Sequence, residues 1–282
     1  MWKHELCIGL LGRTGMTNAE QLALIKKVGF DGYFPVWNEE LDLEALKAEG
    51  DRLGLRLQSV HAPFGKVDSL WYPNEHTETV MNRLLACFRA AAQVGAPIVV
   101  IHPFITFQRN EATTEGIANY RVLVDAAREL GIKLAIENVE GEAYLDALME
   151  AFKDEPHVGF CWDTGHEMCY NRHRDLLASF GDRLLCTHLN DNLGIKAADG
   201  TITFHDDLHM LPFDGIADWK YIAQRLDRSG YKGELTFELK WDTALNGSTY
   251  PIYNHRDLED YLTQAYIRAC RVAALRASNG LA

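Results

Sequence analysis

The stretch GFCWDTGHEMC, residues 159–169, runs from apolar residues straight into Asp163, Thr164, Gly165 and His166. A carboxylate and an imidazole three residues apart, where a strand-like run must turn, have two readings. Asp163 caps a turn and His166 lies on the surface, or both belong to a metal or substrate site. Other apolar runs end the same way: RLQSVH at His61, PIVVIH at His102, KLAIEN near Glu137, LLCTHL near His188 and ELTFEL near Glu238. Glu137, Asp163, His188 and Glu238 together offer three oxygen donors and one nitrogen donor. That set suits Mn²⁺, Mg²⁺, Co²⁺ or Zn²⁺ without choosing among them. A second group comprises His61, His102, His166, Asp207 and His209. The last two are two residues apart in HDDLHMLPFDG, so in an extended loop both point the same way. These residues are read as contacts to substrate hydroxyls or as ligands of further cations. Lys240 would supply a cation at the same place for a phosphate or carboxylate. Trp37, Trp71 and Trp162, at or after apolar runs, are candidate walls for a sugar ring.

Such residues need elements that bring them together. Eight strand candidates recur along the chain, at 5–11, 32–37, 56–61, 97–102, 133–138, 158–163, 184–189 and 234–239. Between them, apolar residues at three- and four-residue steps predict helices over 17–28, 42–53, 75–93, 115–130, 144–152, 216–229 and 257–276. Glycines in KKVGF, DRLGL, AAQVGA, RELGI and RSGYKG fall where left-handed helix caps would be. Eight βα units in 282 residues predict an α/β fold, a closed (β/α)8 TIM barrel as a single domain over 1–282. No Gly-x-Gly-x-x-Gly follows the first strand, which removes the main support for a dinucleotide-binding sheet. In a barrel of this kind the C-terminal strand ends form the mouth, and the polar residues above fall at those ends. The stretch FGKVDSLWYPNEHTE after the third strand is long and aromatic enough to act as a lid.

Composition narrows the partners. The chain is 47% hydrophobic and 24% charged, with no low-complexity tract, so it reads as globular except for the final RASNGLA. Forty acidic against 28 basic residues give a formal charge of −12, which disfavours nucleic acid and anionic membranes as partners. The apolar run before Arg13 is too short for a signal peptide, and nothing approaches the length of a membrane span. The expectation is a cytoplasmic protein. Its six cysteines, without a C-x-x-C pair, are read as free and mostly buried thiols.

SVHAPF, VIHPF, AIENVEG, CWDTGH, THLNDN, DDLHMLPFDGIADW and GYKGELTFEL, in this order, resemble the sugar phosphate isomerase/epimerase family with its xylose isomerase-like TIM barrel. The resemblance spans essentially the whole chain. It implies that Glu137, Asp163, His188 and Glu238 hold a divalent metal, with Mn²⁺ ahead of Mg²⁺, Co²⁺ and Zn²⁺. It implies that Glu137 and Glu238 are also the catalytic acid/base pair, that His166 contacts substrate, and that the substrate is a small sugar or sugar derivative. His61, His102, Trp162, Asp207, His209 and Lys240 complete the expected substrate contacts. HLNDNLGIK lacks the arginine that ketose 3-epimerases carry after the equivalent of His188. Inosose dehydratases and keto-sugar lyases are therefore alternatives. Metal-dependent AP endonucleases share the barrel, and their nine ligands match His61, His102, Glu137, Asp163, His166, His188, Asp207, His209 and Glu238. The acidic charge and the lack of basic, Gly-rich loops argue against that reading. A homo-oligomer is compatible with the sequence.

The chemistry expected is proton transfer beside a carbonyl. Glu137 and Glu238 leave the fifth and eighth strands, so they reach the centre from directions about 135° apart. Return of the proton to the opposite face gives an epimer, return to the neighbouring carbon gives an isomer, and loss of a β-hydroxyl gives dehydration.

Overall fold

The computed structural model describes residues 5–244, 252–253 and 256–279. Its strands are β1 (Leu6–Gly9), β2 (Gly32–Phe34), β3 (Arg56–Leu57), β4 (Val60–His61), β5 (Ile98–Ile101), β6 (Lys133–Glu137), β7 (Val158–Asp163), β8 (Leu184–His188) and β9 (Leu235–Phe237). All pair in parallel, in the orders β3-β2-β1-β9 and β4-β5-β6-β7-β8. Two bridges join these arcs. Leu189 pairs with Phe237 at one seam and Val36 with His61 at the other. Hydrogen bonds from Leu189 N to Thr236 O (2.8 Å) and from Trp37 N to His61 O (2.9 Å) complete them. The result is a closed parallel (β/α)8 barrel, as the sequence predicts.

The third predicted strand is the exception to the pattern. It is split by Gln58 and Ser59 into β3, which pairs with β2, and β4, which pairs with β5. The break lets one segment belong to both arcs, and His61 stands at the seam.

The helices are α1 (Asn18–Val28), α2 (Leu43–Leu53), α3 (Thr77–Gln93), α4 (Thr114–Leu130), α5 (Glu142–Ala151), α6 (Thr164–Cys169), α7 (Leu176–Phe180), α8 (Trp219–Arg228) and α9 (Leu258–Asn279). The first begins with a capping box, in which the Thr17 side chain and Glu20 satisfy each other's backbone amides. All five glycines predicted as caps, Gly29, Gly54, Gly95, Gly131 and Gly230, have positive φ. Two helices, α6 and α7, escaped the sequence reading because each is too short to show a 3.6-residue period. α9 runs through Asn279, so RASN belongs to a helix, while the last three residues lie outside the described ones. No helix among the described residues is long and apolar enough to cross a membrane.

Strand alternation sorts the core into two populations. Val99, Ile101, Leu134, Ile136, Phe160 and Trp162 face outward and join the large apolar cluster that includes the buried faces of the helices. Ile98, Val100, Ala135, Cys161 and Cys186 face inward as a separate small cluster. His102, Glu137, Asp163 and His188 are two residues beyond Val100, Ala135, Cys161 and Cys186. They form the next layer toward the mouth, resting on a buried apolar floor.

Candidate metal and substrate site

Four strands deliver the central carboxylates and imidazole. Single ligand atoms of Glu137, Asp163, His188 and Glu238 all lie within 4.8 Å of one another. His188 stands between the two glutamates, its Nδ1 at 3.0 Å from Glu137 Oε1 and 3.2 Å from Glu238 Oε2. Its Nε2 is buried without a hydrogen-bond partner. Phe34 stacks on the imidazole at 4.8 Å and 11°. Gly9 makes that possible, because a Cβ there would come within 2.7 Å of the Phe34 ring.

Asp163 has the capping role that its sequence position suggested, and its second oxygen is held by a side chain. One oxygen caps α6 by accepting from His166 N at 2.7 Å. The other accepts from Asn190 Nδ2 at 2.9 Å. Asn138 clamps the backbone of Asp163, accepting from its N–H at 2.7 Å and donating to its carbonyl at 2.9 Å. Gly165 leaves room for Asn190, whose Oδ1 a Cβ would approach to 2.0 Å. Asn138 and Asn190 were not singled out from sequence. Their signal was present in AIENVEG and THLNDN, but an asparagine beside a ligand reads as an ordinary turn residue.

Three of the other histidines share one arrangement. Nδ1 is held by a backbone carbonyl in His61 (Ala62 O, 2.8 Å), His166 (Asn138 O, 2.9 Å) and His209 (Glu238 O, 3.1 Å). Each Nε2 then faces a carboxylate: Glu137 Oε2 at 3.2 Å, Asp207 Oδ1 at 3.4 Å and Asp207 Oδ1 at 2.8 Å respectively. Donation from Nδ1 to a carbonyl fixes the ring and leaves Nε2 as the inward group, able to meet a cation or a hydroxyl. His102 Nε2 lies 3.3 Å from Glu137 Oε2. Asp207 and His209 do meet, but not through an extended loop. Asp207 follows a 3₁₀ turn over Phe204–Asp206, and His209 has φ of 45°, in the left-handed region that costs a non-glycine residue about 1 kcal/mol or more.

Burial and charge set the protonation. Burial pushes the Glu137 carboxyl up, but the His188 charge and hydrogen bonds from His102, His188 and His61 outweigh it and hold the group well below its usual range. Burial raises Asp163 to about 6, against the pull of His166 and His209. Burial lowers His102 to about 4, so it is neutral near pH 7. Burial opposes the imidazolium of His188, yet Glu137 and Glu238 raise it well above its usual value.

A cavity of about 270 Å³ opens over this layer, lined among others by His61, His102, Glu140, His166, His209 and Lys240. A second, of about 430 Å³, adjoins it and shares Val36, Phe204, Asp207, Glu238 and Lys240. The ammonium of Lys240 pairs with Asp207 Oδ2 at 2.8 Å. Glu140, which the sequence reading passed over, is held by an N–H from Thr106 at 2.8 Å and pushed up by burial.

Trp162 is the residue the structure does not bring to the cavity. It is fully buried on the outward face of β7, one residue out of phase with Asp163, and its indole N–H donates to Glu167 at 2.9 Å. Trp37 and Trp71 are also buried; Trp71 donates to Pro103 O at 2.6 Å. Large aromatic area is worth more packed than exposed, which is why phenylalanines and Tyr170, rather than tryptophans, supply the cavity's rings. The stretch expected to be a lid is pinned at Trp71 over Gly116. Cys169, at the end of α6, is buried, and burial pushes its thiol well up.

Comparison with known proteins bears on the fold and the family. An uncharacterized protein of Sinorhizobium fredii is 30% identical over 64% of this chain, and the match spans 58% of that protein. An inosose dehydratase of Geobacillus thermodenitrificans is 25% identical over 54% of this chain and 54% of its own length. Among solved structures, the apo 3-keto-D-glucoside 4-epimerase of E. coli superposes with a TM-score of 0.68 at 17% identity, covering 95% of this chain and 100% of that one. The IolI protein with a bound zinc atom gives 0.71 at 17% identity, covering 95% and 97%. The model of the xylose isomerase-like TIM barrel family matches residues 22–263, and the chain belongs to that family.

Proposed function

We propose that this chain is a metal-dependent isomerase or epimerase that moves a proton beside the carbonyl of a sugar or sugar derivative. The observation that carries the reading is the pair of glutamates flanking His188, both within 4.8 Å of Asp163 and His188 ligand atoms and one of them open to the cavity. Two buried carboxylates, a partly exposed third and one imidazole form a donor set that fits a divalent cation of the Mn²⁺, Mg²⁺, Co²⁺ or Zn²⁺ type. Glu137, Asp163, His188 and Glu238 would hold it. When bound, such a cation supplies Lewis-acid polarisation of a carbonyl and its neighbouring hydroxyl. Mn²⁺ is the ion we assign first; the zinc in the IolI structure makes Zn²⁺ its main competitor.

The residues of the chain do the rest. Glu137 and Glu238 approach from different strands, so one carboxylate can take the proton from one face while the other returns it to the opposite face. His61, His166 and His209, each anchored through Nδ1, present Nε2 to substrate hydroxyls. Asp207 orients His209 and Lys240. The dry layer of Ala135, Cys161 and Cys186 beneath the site keeps bulk water from the floor. Dehydration on the same site is the second reading, supported by the inosose dehydratase relative.

The test is incubation of keto-sugars and inososes in D₂O with each metal, following deuterium entry beside the carbonyl, alongside an abasic-DNA cleavage assay. Exchange that requires both metal and the glutamates is the expected result. Strand cleavage at catalytic rates without any sugar exchange overturns the proposal.

A further inference from the structure

Of the phenylalanines, only Phe64, Phe107 and Phe204 are exposed, at 38%, 39% and 53%; Phe64 and Phe204 line the cavities, and Phe107 packs beside Phe204. Phe64 lies flat against His102, with ring centroids 4.4 Å apart and 17° between planes. Phe204 lines both cavities, and Phe107 extends it outward at 4.6 Å. Val36, 44% exposed, borders both cavities as well. An aromatic ring left in water forgoes the stabilisation that burial would give. Three of them around one polar floor make a ledge continuous with the cavity, suited to the apolar face of a ring.

Charge at the mouth points the same way. Among the described lining residues the cations other than histidine are Arg13 and Lys240, each paired with a carboxylate, Asp242 at 3.4 Å and Asp207 at 2.8 Å. The lining carboxylates are Glu140, Asp207, Glu238 and Asp242, four against two. Glu137 and Asp163 lie beneath them. Neither the lining lysine nor the lining arginine is left without a carboxylate partner, so a phosphate dianion would have to displace one of these pairs to find a cation.

We propose that the substrate is an uncharged glycoside rather than a sugar phosphate. Its polyhydroxylated ring meets the histidine and carboxylate floor, and its substituent lies on Phe64, Phe107 and Phe204. This rests on the proton-transfer reading only for which ring carries the carbonyl.

The test is binding, independent of turnover. Saturation-transfer NMR and calorimetry on the full chain compare phenyl and methyl β-D-glycosides of the gluco and galacto series with the corresponding 6-phosphates. In at least one series the phenyl glycoside should bind about fivefold more tightly than the methyl glycoside, the scale of one aromatic pair. Its ring protons should receive saturation, and the 6-phosphate should not displace it. Phe107→Ala and Phe204→Ala, both at exposed positions, should reduce the preference to about twofold or less while the methyl glycoside still binds. Equal or tighter binding of a 6-phosphate overturns the proposal, as does the absence of a phenyl preference in both series or its survival in both variants. Failure of the proton-transfer reading looks different: no keto-sugar exchanges in D₂O while the phenyl preference persists.

Discussion

Glu137 and Glu238 differ in what surrounds them, and that difference makes a sharp test at the level of single residues. Glu137 is fully buried and faces four imidazoles, whereas the Glu238 side chain is 21% exposed and borders both cavities. Replacing either with Gln keeps a carbonyl oxygen for a cation and removes the proton acceptor. Turnover should fall by roughly 10²–10⁴-fold, the usual contribution of a positioned acid or base, while metal content measured by mass spectrometry falls much less. Near-normal turnover in both variants would move the acid/base role to His166, His209 or Lys240. A second prediction concerns Gly9. Its replacement by Ala drives a methyl into Phe34 and so tilts the ring that stacks on His188. Overpacking of this kind costs about 1–3 kcal/mol, to be read from urea unfolding. An unchanged midpoint would show that Phe34 has room to turn.

Among the elements, α6 is the one that carries most of the site's precision and was least visible beforehand. It is six residues long, and its ends are fixed by polar contacts rather than by an apolar stripe. Asp163 caps it, and Glu167 anchors it from behind. Arg225 of α8 donates to Glu167 Oε1 at 2.5 Å and Oε2 at 2.8 Å, while Trp162 and the Leu176 amide donate to Oε2. Arg225 also holds Asp175, the cap of α7. One buried cation thus ties α8 to both short helices between β7 and β8. Replacing Arg225 by Met leaves Glu167 buried with its charge uncompensated, which should cost about 3–5 kcal/mol by urea unfolding. Adding Glu167→Gln should recover part of that loss, because the stranded charge is gone. A double variant no more stable than Arg225→Met would show that the arginine acts through packing on Trp162, over whose ring it sits at 4.8 Å. None of this was readable from sequence. Glu167 and Arg225 are 58 positions apart and have no motif, and only the fold brings them together. His166 was readable because its neighbour Asp163 ends a strand, and the reading failed at Trp162 because strand parity was not applied there.

Across the whole molecule the barrel was legible because its signal repeats. Eight apolar runs, all but the one at 158–163 followed by a helical period, leave little choice of architecture, and errors of one to three residues at each end do not accumulate. What repetition could not reveal is the break at Gln58 and Ser59, since RLQSVH reads as one continuous strand. The layer of inward residues follows from two-residue alternation below each polar strand end, a parity that the sequence reading did not use. That layer leads to a prediction about the molecule as a unit. Four strands from around half the ring, β6, β7, β8 and the exit of β9, end on Glu137, Asp163, His188 and Glu238. A cation bound to all four cross-links that arc, and it binds the folded chain alone because the unfolded chain has no such cluster. At a free concentration 100 times the dissociation constant, binding to one state adds about 2.7 kcal/mol. For a domain of this size that corresponds to roughly 5–10 °C in Tm. Chelation should therefore lower Tm by about that amount, and Mn²⁺ or Zn²⁺ should restore it. In Asp163→Asn the response should shrink, because a neutral amide is a poorer ligand than a carboxylate. Gly9→Ala should keep it, since its fault lies in packing. The same Tm in chelator and in saturating Mn²⁺, Mg²⁺, Co²⁺ and Zn²⁺ would mean that the four side chains do not hold a cation.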